Sequence, residues 1–257
     1  MSNSVKLSVI IITKNEVNNI ADCINSVTPI ADEVIVFDSG STDGTQDICI
    51  HLGATVLETD WPGFGPQKNR ALSQATGEWV LSIDADERVS PELAAEIQNV
   101  IRQHSSPDVY SMPRLSSYCG QFMRHGGWYP DRVARLFRRG SAQFSDDIVH
   151  ESLRTNSKIG KLRSHLLHLS YRSLDEVIEK VNLYSSIGAE KMANNGRRTS
   201  LTTALAKGFW AFIRTYILKL GFLDGKRGLL LAISNAEGTY YKYAKLWLLS
   251  EQSTRHD

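Results

Sequence analysis

Two carboxylates stand one residue apart at the end of a short apolar run, Glu78-Trp79-Val80-Leu81-Ser82-Ile83-Asp84-Ala85-Asp86-Glu87. A continuous apolar run of this length is typical of a buried parallel strand. Such a strand would deliver Asp84 and Asp86 to the carboxyl edge of its sheet, where open α/β sheets bind ligands. Two carboxylates there suit a hard divalent cation, Mg²⁺ or Mn²⁺, with positions left open for phosphate oxygens. The alternative is a solvated turn, because Asp-x-Asp also occurs by chance in surface loops.

The first hundred residues alternate between strand and helix patterns. The predicted strands cover residues 7–12, 33–37 and 55–57, followed by the run that carries Asp84. Thr13-Lys14-Asn15-Glu16 matches a capping box that would open the first helix. The other predicted helices begin after Ser41-Thr42-Asp43, at Gln67 and at Ser90-Pro91. Strands that alternate with short helices imply a mostly parallel sheet with right-handed crossovers.

Two common phosphate-binding loops are absent from this chain. The turn after the first strand, Thr13-Lys14-Asn15-Glu16, contains no glycine. The Gly-x-Gly-x-x-Gly turn of dinucleotide-binding dehydrogenases is therefore excluded there. A Gly-x-x-x-x-Gly-Lys-Ser/Thr loop is also missing from the sequence.

The composition is that of an ordinary globular protein. The chain has 257 residues, of which 42% are hydrophobic and 22% charged, and its net charge is +1. This length can bury a full core. The three cysteines, Cys23, Cys49 and Cys119, form no Cys-x-x-Cys pair, which favours a reducing compartment. The polar segment from Met1 to Lys6 shows no signal-peptide pattern.

Four segments together resemble the family 2 glycosyltransferases of the GT-A fold. They are LSVIIITKNE (7–16), VIVFDSGSTDGT (34–45), QKNRAL (67–72) and GEWVLSIDAD (77–86). Later segments resemble one branch of that family, the lipopolysaccharide inner-core β-1,4-glucosyltransferases, which transfer glucose from UDP-glucose to a heptose. These are GGWYPDRVARLF (126–137), VHE (149–151) and GFLDG (221–225). The resemblance implies an α/β fold, in which a GT-A (Rossmann-like, mostly parallel sheet) catalytic domain carries a helical C-terminal extension.

The resemblance also implies a donor site for a UDP-sugar. Asp38 would bind the uridine, with an Asx turn before Gly40 as the alternative. Asp84 would meet the ribose or the metal, and Asp86 would bind the Mg²⁺ or Mn²⁺ that stabilises the departing UDP. The other predicted donor-side residues are Thr13, Asn15, Glu16, Lys68 and Arg70.

Each of these donor-side assignments has a plainer alternative. Thr13 and Glu16 would do no more than cap the first helix. Lys68 and Arg70 would either offer cations to the diphosphate or be two solvated charges on a helix face.

Inverting transfer also needs a general base, a carboxylate within reach of the acceptor hydroxyl. The carboxylates that follow the donor half are Asp131, Asp146, Asp147 and Glu151. We assign the base to Glu151, with Asp147 second, because apolar residues lead into the polar pair His150-Glu151. His150 is a candidate metal ligand or phosphate donor, with a structural histidine as the alternative.

The segment from Gly126 to Asp131 is predicted to be an acceptor-side loop. Trp128 and Tyr129 could stack on the apolar face of a sugar, and Asp131 ends the segment. The alternative is an ordinary turn anchored by a buried tryptophan. The other histidines, His165 and His168 among them, show no paired metal-ligand spacing, so core or surface positions suffice for them.

The last third changes character. Ser173-Leu174-Asp175-Glu176 is a capping box that predicts a long helix towards Asn194. From Arg197 to Lys245, Lys and Arg are interleaved with aromatic residues, and Asp224 and Glu237 are the only acids. No stretch of 18 uncharged apolar residues occurs. The pattern favours an amphipathic helical region on an anionic membrane surface. Packing on the catalytic domain or in a homo-oligomer is the alternative, and the donor motifs argue against nucleic acid.

The sequence therefore predicts a GT-A domain over residues 1–170 and a helical extension over residues 171–257. The predicted activity is inverting transfer of a hexose, glucose from UDP-glucose, to a heptose of a lipopolysaccharide precursor. We expect the protein to lie in the cytoplasm, attached peripherally to the inner face of the cytoplasmic membrane. Alternatives are another sugar donor or a polyprenyl-phosphate acceptor within the same family. A sugar nucleotidyltransferase and a non-catalytic carbohydrate-binding protein are the alternatives from other classes.

Overall fold

A computed structural model of the chain describes residues 6–103, 107–146 and 151–254. The chain divides into two units. Unit 1 contains Met1–Arg114 and Asp131–His168, and unit 2 contains Leu115–Pro130 and Leu169–Asp257.

The first half of unit 1 is the predicted run of alternating strands and helices. Its elements are β1 (Leu7–Thr13), α1 (Ile20–Val27), β2 (Glu33–Asp38), α2 (Thr45–His51), β3 (Thr55–Glu58), α3 (Phe64–Gln74) and β4 (Trp79–Asp84). The four strands pair in parallel in the order β3-β2-β1-β4. In this register Thr13 lies opposite Asp38, and Ile12 lies opposite Asp84. The strand ends that carry the predicted site residues therefore share one edge of the sheet.

Strand β1 forms the centre of this half because both of its faces are covered. Every residue of β1 is buried. Val9 and Ile11 belong to an apolar cluster that includes residues of α1, α2 and α4 (Pro91–Arg102). Ile10 and Ile12 belong to a second cluster that includes Ala71 of α3. A strand buried on both faces needs a continuous apolar sequence, which is the pattern that predicted it.

The rest of the sheet is largely antiparallel. Its strands are β5 (Glu87–Val89), β6 (Val109–Tyr118), β7 (Gln121–Phe122), β8 (Asp131–Arg138), β11 (Ile159–Lys161) and β12 (Leu166–Tyr171), whereas β9 (Gln143–Phe144) and β10 (Leu153–Arg154) form a separate two-stranded sheet. Strand β8 pairs antiparallel with β4, and β12 pairs antiparallel with β5. The second pairing sets His168 opposite Glu87.

The C-terminal part of unit 2 is helical, as predicted. It contains α5 (Leu174–Asn194), α6 (Leu201–Ile213), a π-helical turn (Arg214–Leu218), a 3₁₀ turn (Gly221–Asp224) and α7 (Gly225–Thr254). The predicted capping box of α5 is present, since Ser173 Oγ accepts the Glu176 amide at 3.2 Å. Among the described residues, no helix combines the length and the apolar character that crossing a membrane requires. The α/β fold class with a helical C-terminal extension is confirmed.

The capping box predicted at Thr13-Lys14-Asn15-Glu16 is wrong. Thr13 is still part of β1, and Asn15 has the left-handed φ of 55°. Helix α1 begins only at Ile20, and its N-cap residue Asn19 makes no side-chain capping bond. The left-handed Asn15 turns the chain before the helix starts. Thr13 and Glu16 therefore do not cap α1.

Candidate active site

A cavity of about 470 Å³ opens at the edge where β1 and β4 end. Thr13 and Asp84, the last residues of these strands, both line it. The other lining residues are Ile12, Lys14, Glu16, Trp61, Phe64, Ala85, Asp86 and His168. The Thr13 hydroxyl is buried and has no hydrogen-bond partner in the described part of the chain. A buried hydroxyl without a partner indicates a position for a ligand atom or a water molecule.

Lys68 is the buried cation of this region. Its side chain extends from α3, and the residue is only 1% exposed. Its ammonium nitrogen lies 2.8 Å from Asp84 Oδ1 and 2.6 Å from Glu151 Oε1. A charge that has lost its water needs this kind of pairing. Lys68 is therefore not a solvated charge, and it joins a predicted donor-site carboxylate to the predicted base.

Arg135 of β8 holds the other oxygen of Asp84. Arg135 Nη2 lies 2.5 Å from Asp84 Oδ2 and 3.1 Å from Oε1 of Glu87, which is completely buried. Burial favours the neutral acid, but the positive charges of Arg135 and Lys68 outweigh it and hold the pKa of Asp84 well below its ordinary value. Burial also opposes the charge on Arg135, yet Asp84 and Glu87 raise the pKa of its guanidinium. Both groups are therefore charged at neutral pH.

Asp86 and His168 form a pair at the cavity. His168 Nε2 lies 3.2 Å from Asp86 Oδ2, and both side chains are partly exposed. The antiparallel pairing of β12 with β5 brings them together. The carboxylate suits Mg²⁺ or Mn²⁺, whereas an imidazole is a ligand of first-row transition metals, so the pair favours Mn²⁺ over Mg²⁺. No group of three potential ligands from His, Cys, Asp and Glu occurs in the described ranges. Mg²⁺ usually keeps several coordination positions for substrate phosphates or water, so two protein side chains are compatible with such a site.

Asp38 is buried at the end of β2, and one of its carboxylate oxygens accepts three hydrogen bonds. It accepts hydrogen bonds from Gly40 N at 3.0 Å, from Ser41 N at 2.7 Å and from Gln46 Nε2 at 2.6 Å. The first of these closes the Asx turn that was the alternative interpretation. Contact of Asp38 with uridine stays a prediction.

Asn15 connects the loops that follow β1 and β2. Its backbone amide donates to Ser41 Oγ at 2.8 Å, and its side-chain oxygen accepts the Thr42 amide at 2.9 Å. Glu16 N donates to Thr45 Oγ1 at 2.9 Å in the same region. These bonds fix the rim of the cavity at Glu16 relative to β2.

The remaining predicted residues lie in different places. The Arg70 side chain is 40% exposed and pairs with the exposed Asp60, and its contact with a diphosphate stays a prediction. Asp131 pairs with Arg114 at 2.7 Å. The candidate base Asp147 and the candidate ligand His150 lie outside the described residues.

The acceptor-side loop spans the two units. Asp131 belongs to unit 1, whereas Trp128 and Tyr129 belong to unit 2. Trp128 is half-buried against Tyr118 and Tyr171, with ring centroids 5.7 and 5.8 Å away. Contact of these residues with a sugar stays a prediction.

The sequence interpretation assigned no site role to four polar or aromatic residues that line the cavity, namely Lys14, Trp61, Phe64 and His168. His168 was assigned to a core or surface position because no second histidine stands at metal-ligand spacing. Trp61 and Phe64 flank the Pro62-Gly63 turn before α3, and their rings meet edge to face at 4.8 Å. Two aromatic residues beside a glycine turn at the start of a helix were a usable signal for a ligand wall.

Comparison with known proteins supports a single family. The model of the family described as glycosyl transferase family 2 matches residues 8–162, more than half of the chain. The chain is 34% identical to an uncharacterized glycosyltransferase, RP128, of Rickettsia prowazekii, over 96% of this chain and 89% of the relative. It is 30% identical to the lipopolysaccharide core biosynthesis glycosyltransferase LpsC of Rhizobium meliloti, over 93% of each chain.

Solved structures also include similar chains. Residues 1–349 of S. aureus TarS in complex with UDP match 98% of this chain and 92% of their own length, at 19% identity and a TM-score of 0.49. From the match over residues 8–162 and the relatives that span nearly the whole chain, we conclude that the chain belongs to glycosyl transferase family 2.

Proposed function

We propose that this enzyme transfers glucose from UDP-glucose, with inversion, to a heptose of a lipopolysaccharide inner-core precursor. One observation carries the proposal. A single cavity is lined by Thr13, by the acidic residues Asp84 and Asp86 and by His168. The lipopolysaccharide core named in the description of the LpsC relative supports the acceptor class.

The cavity offers the contacts that a nucleotide-sugar needs. The Thr13 hydroxyl would bond the nucleoside or its phosphates, and Lys14 would supply positive charge at the rim. Trp61 and Phe64 form an aromatic wall suited to a flat base or the apolar face of a hexose. Asp84, held ionised by its two cations, would accept hydrogen bonds from ribose hydroxyls at its exposed side.

Asp86 and His168 would hold a divalent cation, Mn²⁺ or Mg²⁺. When bound, such an ion supplies positive charge to the departing diphosphate. Both side chains are partly exposed at the cavity, which leaves room for diphosphate oxygens beside them. Asp84 is a weaker ligand candidate, since both of its oxygens are already in ion pairs.

Glu151 would act as the general base. Its carboxylate would take the proton from the acceptor hydroxyl as that oxygen attacks the sugar on the face opposite UDP. Lys68 holds Glu151 in position at 2.6 Å, and the same ammonium group contacts the donor-side Asp84. Base and donor site are therefore positioned by one buried side chain.

Unit 2 would attach the enzyme to an anionic membrane surface. Phe209 and Trp210 on α6 are 70% and 55% exposed, an unusual position for large apolar rings. Further exposed apolar residues follow nearby: Leu205, Ile217, Leu218, Leu220, Phe222 and Leu223. Lys and Arg interleave with them, which complements anionic lipids. The proposed place is the inner face of the cytoplasmic membrane, with residues 1–170 as the catalytic domain and residues 171–257 as the extension.

The proposal is tested by incubating the protein with a panel of UDP-sugars and Mg²⁺ or Mn²⁺ and measuring UDP release. Release from UDP-glucose that rises with a heptose-containing core oligosaccharide supports it. UDP release only from another UDP-sugar would change the assigned donor. UDP release that requires a polyprenyl phosphate would change the assigned acceptor, and the family would stay the same in both cases. Pyrophosphate release from a nucleoside triphosphate and a sugar phosphate would identify a nucleotidyltransferase, and sugar binding without turnover a carbohydrate-binding protein.

A further inference from the structure

Unit 2 contains another polar cavity, to which the proposed reaction assigns no role so far. Its volume is about 300 Å³. The walls come from the loop at Gly126–Trp128, the end of α6 with its π-helical turn, and the middle of α7. Arg214 and Lys219 are the charged residues that line it, and no acidic side chain is among the lining residues.

Both cations are exposed to solvent, and the described residues supply no counter-charge to either of them. Within the part of the chain that the structure describes, neither the Arg214 nor the Lys219 side chain makes an ion pair or a hydrogen bond. Cations directed into a cavity without a carboxylate favour an anionic ligand. Thr215, Asn235 and Thr239 add hydroxyl and amide groups to the same walls.

The π-helical turn brings these cations together. In an α-helix, residues five apart lie on different faces because one turn contains 3.6 residues. Here the Lys219 amide donates to the Arg214 carbonyl at 2.9 Å, which is the wider i to i+5 bond of a π turn. Lys219 therefore returns to the side of Arg214. Such turns are rare and are found frequently at functional sites.

The glycine loop is shaped around Lys219. Gly126 N donates to the Lys219 carbonyl at 2.8 Å. Gly127 has a φ of 83°, and a Cβ atom there would lie 2.6 Å from Lys219 Cδ and 3.0 Å from its ammonium nitrogen. A larger residue at this left-handed position would be strained and would push the flexible end of Lys219 aside.

The buried carboxylate of Asp224 fixes this loop from the other side. It accepts the backbone amide of His125 at 2.8 Å and that of Arg124 at 3.2 Å, and it lies 2.9 Å from His125 Nδ1. A loop held in this way presents its cavity without a rearrangement on binding, which favours affinity.

We propose that this cavity binds an oxyanion, a phosphomonoester or a carboxylate, that is attached to a sugar of the acceptor. Arg214 and Lys219 contact the anionic oxygens, and the half-buried Trp128 lies against the sugar ring. The assignment to the acceptor rests on the proposed function, whereas the binding of a sugar oxyanion does not.

The test is isothermal titration of the full-length protein with mannose 6-phosphate, mannose and inorganic phosphate. We expect mannose 6-phosphate to bind at least about 10-fold more tightly than mannose, because hydrogen bonds to charged groups are the stronger ones. Arg214→Gln and Lys219→Gln should each weaken that binding about 10-fold. Arg197→Gln, which removes an exposed charge elsewhere in unit 2, is the matched control and should leave it unchanged.

Gly127→Ala probes the shape of the same cavity, because the added methyl group displaces Lys219. Circular dichroism shows whether this variant folds. If it does not fold, the binding of mannose 6-phosphate by the two glutamine variants decides the question. Mannose 6-phosphate that binds no better than mannose, or equally well to the glutamine variants, overturns the proposal. A third outcome assigns the cavity to a lipid headgroup instead and overturns the proposal. In that outcome the wild type binds no sugar phosphate, and the glutamine variants no longer bind phosphatidylglycerol vesicles.

The two proposals fail separately. UDP release from a nucleotide-sugar without sugar-phosphate binding refutes the oxyanion cavity alone. Sugar-phosphate binding that depends on Arg214, without UDP release from any nucleotide-sugar, refutes the proposed function and leaves the cavity in place.

Discussion

Glu151 is held by Lys68 at 2.6 Å, and the same ammonium nitrogen lies 2.8 Å from Asp84. Glu151 follows β9, whereas Asp84 ends β4, so these two carboxylates are far apart in the sequence. One buried cation thus connects the two halves of unit 1 that the proposed reaction requires. Both carboxylates keep part of their surface exposed, which leaves them available to substrates.

Glu151→Gln should abolish most of the transfer and leave donor binding intact. The amide keeps the shape of the side chain but cannot take a proton, so turnover should fall by about 10²–10⁴-fold. Rates of UDP release with acceptor present, together with UDP affinity, measure the two effects. If Asp147→Asn is the inactive variant and Glu151→Gln is nearly normal, the base is Asp147.

Lys68→Met should destabilise the protein strongly, because it leaves Glu151 and Asp84 without their shared partner. Breaking a buried ion pair by removing one side costs about 3–5 kcal/mol in the free energy of unfolding. Arg70→Met on the same helix is the matched control, since its pair with Asp60 is exposed and contributes less than about 1 kcal/mol. Urea unfolding of both variants measures the difference, and equal losses would contradict the structural role of Lys68.

Glu33 should contribute stability that disappears in acid. Burial alone raises the pKa of Glu33, but hydrogen bonds from Ser8 and Thr76 lower it below the ordinary value. A lowered folded-state pKa stabilises the protein above the unfolded pKa of about 4.3, and that gain is lost as pH falls through the folded value.

Glu33→Gln should therefore cost about 1 kcal/mol at pH 7 and less at pH 3. Urea unfolding at both pH values measures this difference. Glu190→Gln, at an exposed position on α5, is the control and should show little effect at either pH. A Glu33→Gln penalty that stays constant between pH 7 and pH 3 would contradict the assignment.

Removal of the exposed rings of α6 should weaken membrane binding. Phe209→Ala combined with Trp210→Ala should reduce sedimentation with phosphatidylglycerol liposomes, and high salt should release part of the wild type. Ile50→Ala removes an exposed apolar side chain from unit 1 and should have no effect. A wild-type protein that ignores these liposomes at low salt and forms dimers would assign the exposed rings to a homo-oligomer interface.

The parallel half of the fold could be predicted because its signals are local. The run Leu7–Thr13 is apolar along its whole length, and it is buried on both faces. Pro91 at the first position of α4 and Ser90 as its cap were also correctly interpreted. The capping box at Thr13 failed because the left-handed Asn15 is not visible in a pattern of residue types.

The site could be predicted only in part, because distant strand pairings complete it. Asp84 and Asp86 were found from one apolar strand. His168 reaches Asp86 through the antiparallel pairing of β12 with β5, and no local spacing encodes that pairing. The roles of Arg135 and Glu87 could not be predicted for the same reason. Their side chains join the buried ion-pair network around Asp84 only after distant strands have paired.

The most direct test of the account is UDP affinity, measured by titration calorimetry with Mn²⁺ and in EDTA. The wild type should bind UDP with Mn²⁺ and lose most of that affinity in EDTA. Asp86→Ala and His168→Ala should each weaken Mn²⁺-dependent UDP binding by at least about 10–100-fold. Removal of a residue that only hydrogen-bonds a metal ligand already costs this much, so loss of a ligand itself should cost no less. His51→Ala, an exposed histidine at the end of α2, should bind normally. Equal UDP affinity with Mn²⁺ and in EDTA, unchanged in Asp86→Ala and His168→Ala, would contradict a metal-assisted nucleotide-sugar site in this cavity.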